Sequence, residues 1–231
     1  MTLLLAIDTC GPTGSVALGM VVSGEVHILG ETSLGGQRPS ETLVGYACEM
    51  LTMAGVQLPQ LSAIVAVNGP GGFTGVRVGL AAVKGLAEPA RIPVVAVSRL
   101  EVLAAKTGIA SAALDAHRHE IFLRLGLPGV PARELLAGAH ELAGLSPRPP
   151  RIVLCDEAAA LLLTSAWPGV ELVRASSPTA ADALSLCAPC AATGEFVDLA
   201  LLDGNYLRRS DAEIFGAEIF GEPDSAAPDR P

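Results

Sequence analysis

Apolar residues run without a break through LLLAI (3–7), and Asp8 and Thr9 follow at once. A continuous apolar run of this length, closed by a turn signal, predicts a strand buried on both faces. CGPTG supplies the turn. SVALGMVV (15–22) predicts a second strand, Ser23-Gly24 a hairpin, and EVHILGETS (25–33) a third strand. The chain therefore opens as an antiparallel meander. Ser40 reads as the N-cap of a helix over 41–54, where Leu43, Ala47, Met50 and Ala54 recur at helical spacing until Gly55 ends it. From LSAIVAV (61–67) onward strand and helix alternate: a helix over 74–88, a strand at IPVVAVS (92–98), and a helix starting at RLEVLAAK (99–106). Such alternation calls for parallel strands joined by crossover helices.

Near residue 109 the pattern restarts. IASAALD and EIFLRLGL predict two strands around the polar turn AHRH, PARELLAG (131–138) a short helix, and SPRPPR (146–151) a loop. RIVLC, EAAALLLTSA, VELVRA and TAADALSLCAPCAATG then read as strand, helix, strand and helix. The expected layout is two α/β lobes, 1–108 and 109–211, the second smaller and less regular. AEIFG occurs twice in tandem (212–216 and 217–221), too short a unit for a solenoid. The acidic end rich in Pro and Ala predicts a flexible tail over 212–231.

Composition narrows the function. Half of the 231 residues are apolar and only 17% are charged, so a sizeable core is expected. Aromatics make up 3%, so that core is built from Leu, Val, Ile and Ala. The net charge of −9 repels a nucleic-acid backbone, which is bound through clustered Lys and Arg. Any business with RNA is expected to run through a partner. Five scattered cysteines suit buried thiols in a reducing compartment rather than a disulfide framework. The N-terminus lacks a basic n-region and a cleavage site, and no apolar stretch has the length of a membrane span. The expected location is the cytoplasm.

The glycine-rich turn NGPGGFTGVRVG (68–79) lies between a strand and a helix and allows two readings. In one, Gly69, Gly71, Gly72 and Gly75 let backbone amides approach an anion at a helix N-terminus. No Gly-Lys-Ser/Thr follows, which excludes a Walker loop. A dinucleotide fold wants an acidic residue after the next strand, where this chain has Ser98-Arg99. In the other reading the glycines serve close packing. Gly75, Gly79 and Gly85 strip bulk from a helix whose Val76, Leu80 and Val83 leave it apolar nearly all round. Its second side then calls for the helix over 41–54 or another protein chain.

Taken in order, LLAIDT with SVAL, QRPSETL, LSAIVAVNGPGGFTGVRVGLAAVKGLA, IPVVAVSRLEVLA, ALDAHRHEIF and NYLRRSDAE resemble the TsaB (YeaZ) family. The resemblance covers most of the first lobe and both ends of the second. It implies an actin-like (ASKHA, ribonuclease H-like) two-lobed α/β fold with mixed sheets flanked by helices. It implies a non-catalytic subunit that pairs with TsaD, the related catalytic subunit, with the ATPase TsaE in the larger complex; the sequence does not decide whether the chain forms a homodimer when alone. The complex would place a threonylcarbamoyl group on adenosine 37 of tRNAs reading ANN codons. Two positions depart from the family pattern: Pro39 stands where His is usual, and Gly204 where Pro is frequent. The first removes a polar group near the expected pairing surface.

Candidate chemistry is sparse. Asp8-Thr9 sits where actin-like folds place a phosphate and Mg²⁺ motif, but Cys10-Gly11-Pro12 replaces the small-residue turn, and Pro12 has no N–H to give a phosphate. No firm cofactor ligand is read; Asp8 and Thr9 are the residues such a reading would use. His117 and His119 would face one side of a strand and, with Asp115 and Glu120 near them, could bind a metal, but imidazole pairs on polar turns are usually solvated. Cys187-Ala-Pro-Cys190 sits late in a helix and reads as a pair of small buried thiols. No Gly-x-Ser-x-Gly elbow anchors a hydrolase. The expected partner surface is a pair of helix stripes, Leu43, Tyr46 and Met50 with Val76, Leu80 and Val83. Gly79 would admit a close crossing there, with Arg77 and Lys84 at the rim. ATP and metal are expected in partner subunits only. The rival is a small actin-like kinase or NADP-binding enzyme using the loop from Gly69 to Gly75.

Overall fold

The computed structural model describes residues 2–35 and 39–208. Its first sheet is built around β1 (Thr2–Asp8), which pairs antiparallel with β2 (Gly14–Val22) and parallel with β4 (Ala63–Val67). β3 (Glu25–Leu34) lies antiparallel outside β2, and β5 (Val94–Val97) parallel outside β4. The order is β3-β2-β1-β4-β5. β4 is buried at every position and β1 from Leu4 onward, which explains their continuous apolar runs. The edge strand β3 is largely exposed.

The second sheet repeats this plan. β6 (Ala112–Asp115) pairs antiparallel with β7 (Glu120–Leu125), and β7 with β8 (Arg133–Gly138). On its other edge β6 lies parallel to β9 (Arg151–Leu154), and β9 to β10 (Glu171–Arg174). Counted from its own first strand, the order is again third, second, first, fourth, fifth. Two such units form the actin-like, ribonuclease H-like two-lobed fold, with mixed sheets flanked by helices. The second lobe is thus as regular as the first, against expectation.

PARELLAG is where the local pattern misleads. It is strand β8, not a helix, paired with β7 from Glu120↔Gly138 to Leu125↔Arg133. A short apolar run does not distinguish the two states, and the open edge of β7 decides. The register sets Glu134 opposite Arg124, with Oε1 2.9 Å from Nη1, a cross-strand charge pair. The helix falls later, as α4 (Ala139–Gly144). At the other early boundary, α1 (Pro39–Met53) starts before Ser40, so Ser40 is inside the helix rather than its cap, and proline takes the first helical position.

The division at 108/109 is corrected by packing. α3 (Arg99–Thr107) follows the first sheet but covers the second: Leu100, Leu103 and Ala104 share a core with Ala112, Leu114 and Phe122. α6 (Ala180–Thr193) follows the second sheet but covers the first, placing Ala183, Leu184 and Cys187 against β1, β2 and β4. α1 and α2 (Phe73–Ala90) cover the opposite face of that first sheet, and α4 and α5 (Glu157–Ala166) the remaining face of the second. Beyond α6 the chain runs back along the first sheet: the N–H of Val197 bonds the Val94 carbonyl, and that of Asn205 the Asn68 carbonyl at 2.7 Å. The tandem AEIFG and the expected tail lie outside the described residues.

The sole tryptophan, Trp167, is buried in the second lobe, and its indole N–H donates to the Leu142 carbonyl at 2.8 Å. Trp167→Ala should cost about 3–5 kcal/mol through the cavity it leaves. Trp167→Phe should cost less, about 1–3 kcal/mol, chiefly from the stranded carbonyl. Urea unfolding followed by circular dichroism would separate the two, and an unchanged stability in Trp167→Phe would mean that the bond contributes nothing.

Candidate functional site: the glycine turn and the cleft beside it

Gly71, Gly75 and Gly79 recur every fourth residue, so they fall on one side of the turn and the helix that continues from it. That side rests directly on the end of β1. A Cβ at Gly71 would collide with the Cys10 carbonyl oxygen, at Gly75 with the Thr9 carbonyl oxygen, and at Gly79 with the Thr9 hydroxyl. Hydrogen bonds close the contact. The Gly72 N–H donates to the Cys10 carbonyl at 2.9 Å, and Thr9 Oγ1 donates to the Gly75 carbonyl at 2.6 Å. Gly69 adopts φ of +108°, which only glycine takes without strain, and its carbonyl accepts the Arg99 N–H at 2.6 Å. These glycines hold backbone against backbone.

The position beside Asp8 is filled as well. Asp8 is 2% exposed; its Oδ1 accepts the Cys10 N–H at 2.8 Å and its Oδ2 lies 3.4 Å from Arg99 Nε. Arg99, itself buried, donates to Ser177 Oγ at 2.8 Å and covers Gly11 so closely that a Cβ there would meet its guanidinium. A buried charge that loses its partner is strongly destabilising, so this pair is committed to the fold. Thr9 is buried too, and neither Asp8 nor Thr9 lines the cleft. Both are corrected as cofactor candidates. Burial, reinforced by the Asp8 charge, pushes the Cys10 thiol well above its ordinary range, and the thiol donates to the Val67 carbonyl at 3.2 Å.

Between the two sheets lies a cleft of about 1140 Å³, lined among others by Phe73, Arg99, His117, Asp156, Ser177 and Tyr206. His117 and His119 do not stand on a strand: φ is +60° at His117, +55° at Arg118 and +61° at His119, so the segment is a left-handed turn. The strand period that would align the two imidazoles is therefore absent. His117 Nδ1 lies 3.0 Å from Asp115 Oδ2 with the ring largely in solvent. Among the described residues no three His, Cys, Asp or Glu side chains are grouped to hold a metal ion. Cys187 and Cys190 lie in the last turns of α6; burial raises the Cys187 thiol from 9.0 to about 12.

The expected pairing stripes are corrected by burial. Leu43, Val76, Gly79, Leu80 and Val83 all lie in or against the chain's own core, and Gly79 admits Thr9 rather than a foreign helix. Tyr46 and Met50 are half-buried against the same core, Met50 over Gly30 of β3. The most apolar stripe of each helix goes to its sheet first. Of the nine residues, Arg77 is exposed and Lys84 half-exposed.

The structure adds a cluster that no local pattern announced. The Arg77 guanidinium carbon stacks 3.7 Å from the Phe73 ring centroid, Phe73 and Tyr206 have centroids 5.4 Å apart, and Arg77 Nε donates to the Tyr206 hydroxyl at 3.4 Å. Phe73 is 42% and Tyr206 39% exposed. Tyr206 is more than a hundred residues from Phe73 and Arg77, so only the returning C-terminal segment brings it to them. Exposed aromatics in so aromatic-poor a chain were the available signal.

Comparison with known proteins gives a consistent picture. The family model for TsaD, tRNA N6-adenosine threonylcarbamoyltransferase, matches residues 35–126. The TsaB protein of Haemophilus influenzae, named for tRNA threonylcarbamoyladenosine biosynthesis, is 37% identical over 117 residues, covering 51% of this chain and 45% of that one. The chain thus spans about half the length of the curated TsaB relatives it first matches. An uncharacterised protein of Mycobacterium bovis is 31% identical over 75% of this chain and 80% of its own. The solved structure of YeaZ from Pseudomonas aeruginosa superposes with a TM-score of 0.71 at 29% identity, over 90% of this chain and all of that one.

The glycine contact should appear as coupling. Gly79→Ala should cost about 1–3 kcal/mol by overpacking against Thr9. In the background of Thr9→Ala, which removes the obstructing hydroxyl, the same change should cost at least about 1 kcal/mol less. Additive losses in a double-mutant cycle of chemical denaturation would refute the contact. The Cys187 thiol sets a pH dependence. Above 9.0 the unfolded thiol ionises while the folded one stays neutral until about 12, so the unfolded state is favoured and stability falls as pH rises through that window. Cys187→Ala should make the fall shallower, read from urea midpoints at pH 8 and at higher pH; parallel profiles would exclude Cys187 as a contributor.

Proposed function

The chain belongs to the TsaB/YeaZ family, and we propose that it is the non-catalytic subunit of tRNA threonylcarbamoyladenosine synthesis, binding and stabilising TsaD. The observation that carries this reading is the filled phosphate position. Where an actin-like enzyme would present a free carboxylate and an open turn, Asp8 is locked to Arg99 and the turn is packed against glycine backbone. The same observation weighs against a small kinase or an NADP-binding enzyme built on Gly69 to Gly75.

In this reading the group transfer, the ATP and the metal belong to partner subunits, TsaD and TsaE. The product is threonylcarbamoyladenosine at position 37 of tRNAs reading ANN codons, formed in the cytoplasm. The chain's own net charge of −9 leaves tRNA contact to the complex, since phosphate binding depends on clustered cations. Among the described residues no helix is long and apolar enough to cross a membrane. Without TsaD, a homodimer would cover the same surface.

Incubating the chain with threonylcarbamoyl-adenylate and tRNA should give no modified nucleoside until TsaD is added. The chain alone should produce no gel shift with tRNA at physiological salt. Modification by this chain alone would overturn the non-catalytic reading, and failure to pair with TsaD would overturn the subunit reading.

A further inference from the structure

The cleft between the lobes is roomier than a small-molecule site, which usually holds roughly 300–1,000 Å³. Its phosphate end is nevertheless filled, because Asp8 and Arg99 are locked together there. Much of the lining is apolar and comes from both lobes, with Pro12, Pro70 and Pro178 on the one hand and Leu114, Phe122 and Leu207 on the other. Four arginines and His117 also line it, against two carboxylates, Asp115 and Asp156. Both carboxylates are engaged at home. Asp115 accepts the His117 N–H at 2.8 Å, and Asp156 accepts the N–H groups of Ala159 at 2.8 Å and Asp115 at 2.9 Å. Such a lining suits an occupant that is apolar and acidic at once.

The chain itself supplies one. Arg208, the last described residue, lines the cleft. Its guanidinium pairs with Glu120, and Nη2 donates to the His117 carbonyl at 3.4 Å, so the chain is fastened to the second lobe where it leaves. Residues 209–231 follow, outside the described range. They carry six carboxylates against two arginines, and AEIFG twice. Two of the chain's five phenylalanines stand there, Phe215 and Phe220, each directly after an isoleucine and two residues after a glutamate. Large apolar side chains repeated in so acidic and Pro-rich a segment call for something that buries them. Phe215 lies seven residues beyond Arg208 and Phe220 twelve, spans of at most about 25 Å and 43 Å. Both rings therefore come within reach of the cleft that Arg208 lines. The repetition puts two copies of one ligand on one tether, which raises its concentration at the cleft.

We propose that the cleft between the lobes is the docking site of the chain's own C-terminal segment. One Glu-Ile-Phe unit of residues 212–221 lies between the lobes, its isoleucine and phenylalanine against Leu114, Phe122 and Leu207 and its glutamate toward the arginines. The segment is then a built-in ligand that keeps free molecules out of the cleft and ties the two lobes together. Nothing in this depends on pairing with TsaD, so the two readings fail separately.

Alkylation of the folded full chain by iodoacetamide, read cysteine by cysteine with mass spectrometry, tests it. Cys155 lines the cleft and is half-buried, Cys48 is exposed on α1, and Cys187 is buried in α6 away from the cleft. When Phe215→Ala and Phe220→Ala are combined, Cys155 should react about 10-fold faster, while Cys48 keeps its rate and Cys187 stays slow. Each single variant should keep most of the protection, because the other unit takes the vacated place. Phe215→Ala should lose more than Phe220→Ala, since the longer tether of the second unit lowers its local concentration by about 2-fold. The peptide AEIFGAEIFG at millimolar concentration should restore protection to the double variant. Equal Cys155 rates in the wild type and the double variant overturn the proposal. So does a rise shared by Cys187, which would mean that the whole fold has loosened, and so does a protection that the peptide does not restore. Protection that grows with protein concentration would put the segment of a second copy in the cleft and overturn the assignment to the chain's own.

Discussion

Helix α2 lies on the end of β1 with the Thr9 side chain closing the contact, and much of the first lobe's arrangement follows from it. Gly71, Gly75 and Gly79 remove three Cβ atoms from one side of the turn and helix, and the Thr9–Cys10 backbone takes their place. With α2 this close, Thr9 reaches the Gly75 carbonyl and Gly72 reaches Cys10. The turn then brings the Gly69 carbonyl to the N–H of Arg99, which starts α3. Arg99 is thereby aimed at Asp8, and past it at Ser177. A packing constraint at one glycine turn thus fixes the electrostatics around Asp8.

The same chain of contacts joins the lobes. α3 leaves the first sheet to cover the second, and α6 returns from the second to cover the first. Glu134 of β8 adds a polar clasp, accepting from Ser98 Oγ at 2.7 Å, Arg124 Nη1 at 2.9 Å and Asn205 Nδ2 at 2.6 Å. Those donors come from the α3 cap, from β7 and from the returning segment. A carboxylate bonded to three elements in this way resists any motion that would separate them, because every donor it released would have to be satisfied again.

Local pattern was enough for the central strands, with their continuous apolar runs, and for the helices α2, α3, α5 and α6. Ser98 and Thr179 both cap as their residue types suggest, each accepting a main-chain N–H. The pattern was not enough for β8, where Arg124 and the open edge of β7 outweighed the helical look of PARELLAG. Nor did it show that α3 and α6 exchange sheets, because an apolar stripe says that it will be buried and not by what. The glycine turn was legible as either phosphate cradle or packing device. Only the position of Thr9 under Gly75 and Gly79 separates these. The candidate surface was misread for a related reason. The most apolar stripe of a helix is the one most apt to be consumed by its own sheet, so it is a poor guide to what a partner touches.

What remains outside on α2 is informative because of what the chain withholds elsewhere. A protein with 3% aromatic residues leaves Phe73, Phe196 and Tyr206 exposed, and Arg77 stacks on Phe73 beside Tyr206 of the returning segment. Burial would have gained more apolar contact for each ring, so their exposure costs folding stability. The inner stripe trades side chains for glycine to let the backbone close on β1. The outer stripe keeps large side chains and orders them in advance. One helix therefore carries two stripes of opposite design: the inner one closes on the end of β1, and the outer one stays at the surface.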